Sequence, residues 1–205
     1  MKNITEYIQE VRNFNLVEYN GSRELNLYDL EKEMEELLNE KFIATLIGLD
    51  TLKNNDDIKK NDIIKVSFRR NVGEGNSGHY VEDIIGQYLR KKKEKHQVKF
   101  IKRDGGDIII DGIVFELKAT KHRISKAARG DKKYFRIEKG VTCTKNQIQN
   151  HNHPVIIVQY EVSEKNTDGF IINRIFCRYP DELVWGSRTI TGIMMRDDKG
   201  EIIKI

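Results

Sequence analysis

The chain has 205 residues, of which 38% are hydrophobic and 33% are charged, and its net charge is +4 at pH 7. This length fits one domain of ordinary size with a small appended part, and the composition is that of a globular protein with a real core. No run approaches the roughly 20 apolar residues of a membrane-spanning helix. The first residues are amphipathic and include two acids, so we expect a cytoplasmic protein. The two cysteines are too few and too separated for a disulfide framework or a zinc site, so we expect buried or idle thiols.

The positive charge is concentrated in one part of the chain. Residues 1–75 carry a net charge of −4, whereas residues 90–139 carry 17 basic and 7 acidic side chains, a net charge of +10. A surface of this kind attracts a polyanion, and nucleic acid is the natural candidate. For any single run of basic residues, such as residues 90–93, the alternative to nucleic-acid binding is a lysine-rich face that is simply exposed to solvent.

The N-terminal part of the chain predicts helices. Apolar residues recur at helical spacing over residues 4–14 and again over residues 27–38. An Asn-Gly-Ser loop at residues 20–22 separates the two patterns. We therefore predict a mainly helical region, residues 1–75, that packs on the core or serves dimerisation, followed by a main domain, residues 76–205.

The main domain opens with a predicted helix at about residues 78–93. Ser77 is a reasonable N-cap, and apolar residues form a stripe along the helix. Glu82 and Asp83 lie near its start, where the positive end of the helix dipole favours acidic side chains. A short strand is predicted next, over residues 98–102.

Residues 107–118 hold two short apolar runs on either side of Asp111-Gly112. An Asp-Gly pair between apolar runs is the strongest short-range signal for a β-hairpin, because a two-residue type I′ turn needs positive φ at both central positions. The turn sets Asp107 directly opposite Glu116. The other predicted pairs are Ile108 with Phe115, Ile109 with Val114, and Ile110 with Ile113.

Two carboxylates opposed in this way repel each other, because directly opposed side chains in an antiparallel pair lie about 5 Å apart. Lys118 follows Glu116 by two residues, so the period of two places it on the same face as both acids. This face indicates a divalent-metal site with a companion base. Carboxylate oxygens suit Mg²⁺, which leaves its other positions to water and substrate phosphate. The alternative is an exposed hairpin in which Lys118 only neutralises Glu116 in a surface ion pair.

Asp107 and the pair Glu116-x-Lys118 on the next strand resemble the PD-(D/E)XK nuclease motif, which is found in many type II restriction endonucleases and DNA repair nucleases. The proline that usually precedes the first acid is absent, and Gly106 stands in its place. The resemblance implies that Asp107, Glu116 and Lys118 are catalytic and that the two acids hold Mg²⁺. In this family a helix before the hairpin often contributes a further acid, and Glu82 matches by position.

A basic segment of low hydrophobicity, residues 120–139, follows the hairpin, and we predict a loop that is divided at Gly130-Asp131. Its position suggests phosphate contacts, which position a duplex without reading its sequence. A second polar segment, residues 142–153, fits one short helix whose amides either read base edges or only cover the sheet. The predicted DNA contacts are Lys121, Arg123, Lys126, Arg129, Lys132, Lys133, Lys145, Asn146, Gln147, Gln149 and Asn150.

The C-terminal part predicts strands and one short helix. Residues 155–162 and 170–179 are apolar or alternating runs of strand length. Pro180 opens a short helix that extends to Trp185, which we assign to the core. Residues 189–205 predict a closing hairpin.

The order of the elements predicts an α/β or α+β protein with a mixed central β-sheet flanked by helices. The resemblance implies a restriction-endonuclease-like core within residues 76–205, with a C-terminal extension, and a Mg²⁺-dependent endonuclease that hydrolyses double-stranded DNA. The length of the chain favours a sequence-specific type II restriction enzyme among the family members. Such an enzyme implies a homodimer and a cognate DNA methyltransferase.

Three other functions stay open. A structure-specific repair or junction-resolving nuclease would use the same three residues on branched or damaged DNA. A non-catalytic DNA-binding module would keep the basic surface, although opposed carboxylates facing phosphate give a binding protein no advantage. An RNA-directed nuclease also fits the distribution of charge.

Overall fold

The computed structural model describes residues 16–35, 43–45, 96–100, 106–143, 152–162 and 169–203. These residues form an α+β protein with one mixed and one antiparallel sheet, which confirms the predicted fold class at that level. They divide into two compact units. The motif unit is the described part of Asn26–Lys121 and Ile156–Cys177, and the ribbon unit is the described part of Met1–Leu25, His122–Val155 and Arg178–Ile205. The predicted domain boundary at residues 75–76 lies outside the described residues.

The described helices and strands occur in the following order: α1 (Leu27–Glu35), β1 (Ile43–Thr45), β2 (Val98–Phe100), β3 (Ile108–Ile110), β4 (Ile113–Thr120), β5 (Ile124–Arg129), β6 (Lys132–Thr142), β7 (Val155–Val162), β8 (Gly169–Arg178), a 3₁₀ turn (Pro180–Glu182), β9 (Leu183–Trp185) and β10 (Thr189–Met194). Within the described residues, one sheet has the order β1-β8-β7-β4-β3-β2 and the other β5-β6-β10-β9. No helix in these ranges is long and apolar enough to cross a membrane.

The centre of the motif unit is apolar because its middle strands are buried. In β7, the successive residues Ile156, Ile157 and Val158 are all buried, as expected of a strand that is covered on both faces. Next to it in the sheet, β4 contributes the buried Phe115 and Leu117. Strands β7 and β8 confirm the strands predicted at residues 155–162 and 170–179.

Helix α1 packs its apolar stripe into the core of the motif unit, as predicted for this part of the N-terminal region. Leu27, Leu30 and Met34 are buried, and they lie three to four residues apart, on one side of the helix. Glu31 is buried as well, and its carboxylate accepts a hydrogen bond of 2.7 Å from the backbone N–H of Cys177. A charged acceptor thus satisfies a buried donor at the end of β8 and ties the helix to the sheet.

The basic segment after the motif hairpin forms two paired strands, so the predicted loop is wrong there. β5 and β6 pair antiparallel over six residue pairs that end at Arg129 with Lys132, and Gly130 in the turn has a φ of 57°. Only the first and last residues of this hairpin are buried. It therefore lacks the alternation of apolar residues from which a strand is predicted, and β6 is held by backbone pairing with β10. We call residues 124–137 the basic ribbon.

The C-terminal part of the ribbon unit has a buried polar centre. Glu182 accepts a hydrogen bond of 2.8 Å from the backbone N–H of Tyr179 and pairs with Arg196 at 2.6 Å. The predicted helix is limited to the three-residue 3₁₀ turn, and β9 follows at once. Trp185 is buried, as predicted, and its indole N–H donates to the carbonyl oxygen of Pro180. The closing hairpin is confirmed by the antiparallel bridge between Arg196 and Ile202.

The described cysteines, Cys143 and Cys177, are both buried and free, as predicted.

We expect Glu31→Ala to destabilise the protein by about 1 to 3 kcal/mol, because it leaves the buried N–H of Cys177 without its acceptor. Urea unfolding, followed by circular dichroism, measures this change. Glu35→Ala is the matched control on the same helix, since among the described residues the contact that it breaks is the exposed Lys32–Glu35 pair, worth about 0.2 to 0.5 kcal/mol. Equal losses for the two variants would contradict the role of Glu31 as an anchor.

Candidate active site

The hairpin formed by β3 and β4 has the register that the Asp-Gly turn predicts. Asp111 has a φ of 50° and Gly112 a φ of 84°, the two positive values that a type I′ turn requires. Opposed to each other are Ile108 and Phe115, Ile109 and Val114, and Ile110 and Ile113.

The carboxylate of Asp107 is held against β4 by backbone bonds on both sides of Glu116. The N–H of Asp107 donates to the carbonyl oxygen of Phe115 at 2.8 Å. The N–H of Leu117 donates to Oδ2 of Asp107, also at 2.8 Å. Asp107 is therefore held beside Phe115 and Leu117 of β4, both through its main chain and through its side chain, at the residue that precedes β3. The paired residues of the hairpin begin at Ile108 with Phe115, so the predicted direct pair of Asp107 with Glu116 is not part of the ladder.

Lys118 brings the two carboxylates together. Its Nζ lies 3.6 Å from Oδ2 of Asp107 and 3.6 Å from Oε2 of Glu116. These two oxygens are therefore within twice that distance of each other. The side chain of Glu116 is 10% exposed and that of Lys118 14%, whereas that of Asp107 is 43% exposed. The opposite charges of Glu116 and Lys118 are thus largely buried, and the site is open to solvent at Asp107.

The burial of Lys118 and Glu116 bears on the alternative interpretation of the hairpin, a surface ion pair, while the metal site stays a prediction. A surface ion pair between Lys118 and Glu116 would be screened by water and contribute little. Both side chains are instead largely removed from water, where charges interact more strongly and burial has a cost. The interpretation as an exposed hairpin with a surface ion pair is therefore wrong.

Gly106 occupies a backbone conformation that proline cannot adopt. Its φ is 135°, and a Cβ at this position would lie 2.3 Å from Cγ1 of Val114 and 3.1 Å from the carbonyl oxygen of Phe115. The ring of proline fixes φ near −65°. The residue that usually precedes the first acid of the motif is therefore incompatible with the way this chain enters β3.

The donor set suits a hard divalent cation. The positive charge of Lys118 lies where two carboxylates require one, and both acids offer oxygen ligands. Among the described residues, no group of three or more His, Cys, Asp or Glu side chains is arranged to hold a metal ion. An ion here would depend on the two carboxylates together with water and substrate oxygens, which is how Mg²⁺ is usually bound.

The other predicted site residues are distributed as follows. Glu82, Lys145, Asn146, Gln147, Gln149 and Asn150 lie outside the described residues. Lys121 and Arg123 are exposed in the connection from β4 to β5, Lys126 and Lys133 are exposed on the basic ribbon, and Arg129 and Lys132 are half-buried there.

Two features of the motif unit were not predicted from the sequence. One is the anchoring bond from Cys177 to Glu31, and the other is a contact of His96 with Asp111 and Glu33. The partners are 146, 15 and 63 residues apart in sequence, so local spacing gives no signal for them.

No model of a known protein family, no curated protein and no solved structure matches this chain.

We expect Gly106→Ala to destabilise the protein by about 1 to 3 kcal/mol, because it adds an overlap with Val114 to the strain of a positive φ. Gly106→Pro should destabilise the protein further, because proline cannot adopt a positive φ. Gly112→Ala is the matched control, since its φ is also positive but no atom lies within 4 Å of the added Cβ. Thermal unfolding of the three variants measures the difference, and a Gly106→Ala variant as stable as Gly112→Ala would contradict the close approach.

Proposed function

We propose that this protein is a Mg²⁺-dependent nuclease whose catalytic residues are Asp107, Glu116 and Lys118. The observation that carries the proposal is the convergence of both carboxylates on one ammonium group at 3.6 Å. Phosphodiester hydrolysis needs oxygen ligands for a cation together with a group that can orient or deprotonate water.

The three residues divide the chemistry between them. Asp107 and Glu116 would hold the metal ion through their carboxylate oxygens. Mg²⁺ supplies charge neutralisation at the phosphate and activation of the attacking water. Lys118 would orient or deprotonate that water and offset the negative charge that develops on the phosphate. The bond from Leu117 N–H to Asp107 holds one acid in place before substrate arrives.

The arrangement of strands supports the same assignment. β2, β3 and β4 form a continuous antiparallel meander, and β7 lies next to β4 in the sheet. The proposal therefore includes a restriction-endonuclease-like core, as the resemblance of Asp107 and Glu116-x-Lys118 to the PD-(D/E)XK motif implies.

Nucleic acid is the proposed substrate because much of the basic charge is not neutralised locally. Residues 121–136 carry seven basic side chains and one acidic side chain. Within the described ranges, Lys121, Arg123, Lys126, Lys132 and Lys133 form no ion pair with a carboxylate. A two-stranded ribbon fits the major groove of a duplex, and lysines on it would contact phosphates.

The proposal in its specific form is a type II restriction endonuclease. It includes cleavage of double-stranded DNA at a fixed sequence, a homodimer, a cognate methyltransferase and a cytoplasmic location, all of which rest on the resemblance. Cleavage confined to branched DNA would favour a repair or junction-resolving nuclease, and cleavage of RNA alone would favour an RNA-directed enzyme. Binding without cleavage would indicate a non-catalytic module.

We expect Lys118→Ala to lower the rate of Mg²⁺-dependent cleavage at least about 10²-fold while sparing DNA binding, because it removes the group that acts on water. The measurement is incubation with a long sequenced duplex in Mg²⁺ and in EDTA, with the product ends mapped and binding measured in EDTA. Lys99→Ala, an exposed lysine on β2 of the same unit, is the matched control. Normal turnover by Lys118→Ala would contradict the assignment of Lys118 as a catalytic residue.

We expect the double variant Lys126→Ala/Lys133→Ala to bind duplex DNA more weakly and with a smaller dependence on salt. Two lost phosphate contacts lower the slope of log K against log salt by about 2. Binding at several salt concentrations, in EDTA to prevent cleavage, measures the slope. Lys199→Ala, in an exposed turn of the ribbon unit, should leave the slope unchanged. An unchanged slope in the double variant would remove the ribbon from the DNA interface.

A further inference from the structure

His96 joins the turn of the motif hairpin to helix α1. Its Nδ1 lies 2.5 Å from Oδ2 of Asp111, in the turn between β3 and β4, and its Nε2 lies 3.1 Å from Oε2 of Glu33 on α1. The imidazole side chain is 18% exposed, and the two carboxylate side chains are 33% and 32% exposed. One ring therefore bridges two acids that belong to different elements of the motif unit.

The geometry favours a protonated ring. A neutral imidazole has one N–H, so it can donate to only one carboxylate and would turn a lone pair towards the other. Both contacts are hydrogen bonds only when both nitrogens carry a proton. Burial lowers the pKa of His96, but the hydrogen bonds and negative charges of Asp111 and Glu33 outweigh burial and raise the pKa above its ordinary value of 6.5.

The turn that His96 holds is also tied to the backbone beside it. Oδ1 of Asp111 accepts a hydrogen bond of 2.8 Å from the N–H of Gln97, and the N–H of Asp111 donates to the carbonyl oxygen of Gln97 at 2.9 Å. β3 between this turn and Asp107 is only three residues long. The position of Asp107 thus depends on two sets of contacts, those with β4 at one end of β3 and those of the turn at the other.

We propose that His96, as an imidazolium, is a positioning residue that clamps the turn of the motif hairpin to α1 and thereby keeps Asp107 in its contacts with β4. The clamp itself does not depend on what the protein catalyses. Its consequence for cleavage rests on the proposed nuclease function.

The clamp has a defined pH window. Because the pKa of His96 is raised on folding, the stabilisation is fully present below about pH 6.5 and is lost as the pH rises through the folded-state pKa. Burial raises the pKa of Asp111, but hydrogen bonds from His96 and from the N–H of Gln97 lower it overall. That contribution is present above the ordinary value of 3.8 and is lost as the pH falls through the lowered pKa. The clamp is strongest between the two limits.

An NMR titration of the His96 ring tests the clamp directly. We expect a midpoint above 6.5 in the wild-type protein, and a shift to lower pH in both Glu33→Gln and Asp111→Asn. Asp111→Asn keeps a residue pair that is favoured in type I′ turns, so the hairpin can still form. Glu35→Gln is the matched control on α1 and should leave the midpoint unchanged. A wild-type midpoint at or below 6.5, or one that neither substitution moves, would overturn the proposal.

Hydrogen exchange measures the positioning. The amides of Asp107 and Leu117 report the contacts that hold Asp107 to β4. After correction for intrinsic rates, we expect their protection to fall in the wild-type protein as the pH rises through the His96 midpoint, and to be low at every pH in His96→Gln. His122→Gln, in the ribbon unit, should behave like the wild-type protein. Protection that is the same in His96→Gln and the wild-type protein would overturn the positioning role.

Cleavage assays separate this proposal from the proposed function. If the protein cleaves nucleic acid, kcat should fall above a certain pH. Glu33→Gln should lower that pH by the same amount as it lowers the NMR midpoint of His96, and Glu35→Gln should leave it unchanged. If Glu33→Gln does not change the dependence of kcat on pH, the link between the clamp and catalysis is refuted. A protein that never cleaves nucleic acid would refute the nuclease function alone, because the titration and exchange results still decide the role of His96.

Discussion

The geometry of the candidate site depends on one constraint, the two-residue turn at Asp111-Gly112. A type I′ turn needs positive φ twice, and it then leaves no freedom in how the two strands are paired. Because side chains alternate between faces, a slip of one residue would send Glu116 and Lys118 to the other side of the sheet. The turn therefore determines that Glu116 and Lys118 share one face of the hairpin, and on that face Lys118 lies 3.6 Å from a carboxylate oxygen of each acid.

The motif hairpin carries a similar arrangement at each of its ends. At the open end, Lys118 lies between Asp107 and Glu116, and at the turn, His96 lies between Asp111 and Glu33. Each cluster sets one cationic group against two carboxylates. They differ in what the cation can do near neutral pH, because lysine normally keeps its proton there whereas histidine can release one. In the proposed nuclease, the first cluster would act on a phosphate, and the second would control the position of the hairpin that carries the first.

The basic ribbon shows that a sequence can predict the charge of a segment without predicting its secondary structure. Its positive charge was evident from composition alone, and this charge led us to predict nucleic acid as a partner. Its strands were not, since Lys126 and Lys133 are exposed and few apolar residues alternate with them. β6 is stabilised by backbone hydrogen bonds to β10, a strand that begins 47 residues after β6 ends. Pairing over such a distance leaves no local pattern, which explains why a loop was predicted.

The sequence by itself determined the elements whose causes are local. These include the turn and its register, the buried stripe of α1, the strands β7 and β8, and the placement of Lys118 on the same face as both acids, because periodicity and turn chemistry act over a few residues. Only the tertiary structure decided what depends on distant partners. It buries Glu116 and Lys118, brings Glu31 to Cys177, and places Glu33 and Asp111 on the two nitrogens of His96. It also accounts for Gly106, where a positive φ and the close approach of Val114 across the hairpin each disfavour a side chain.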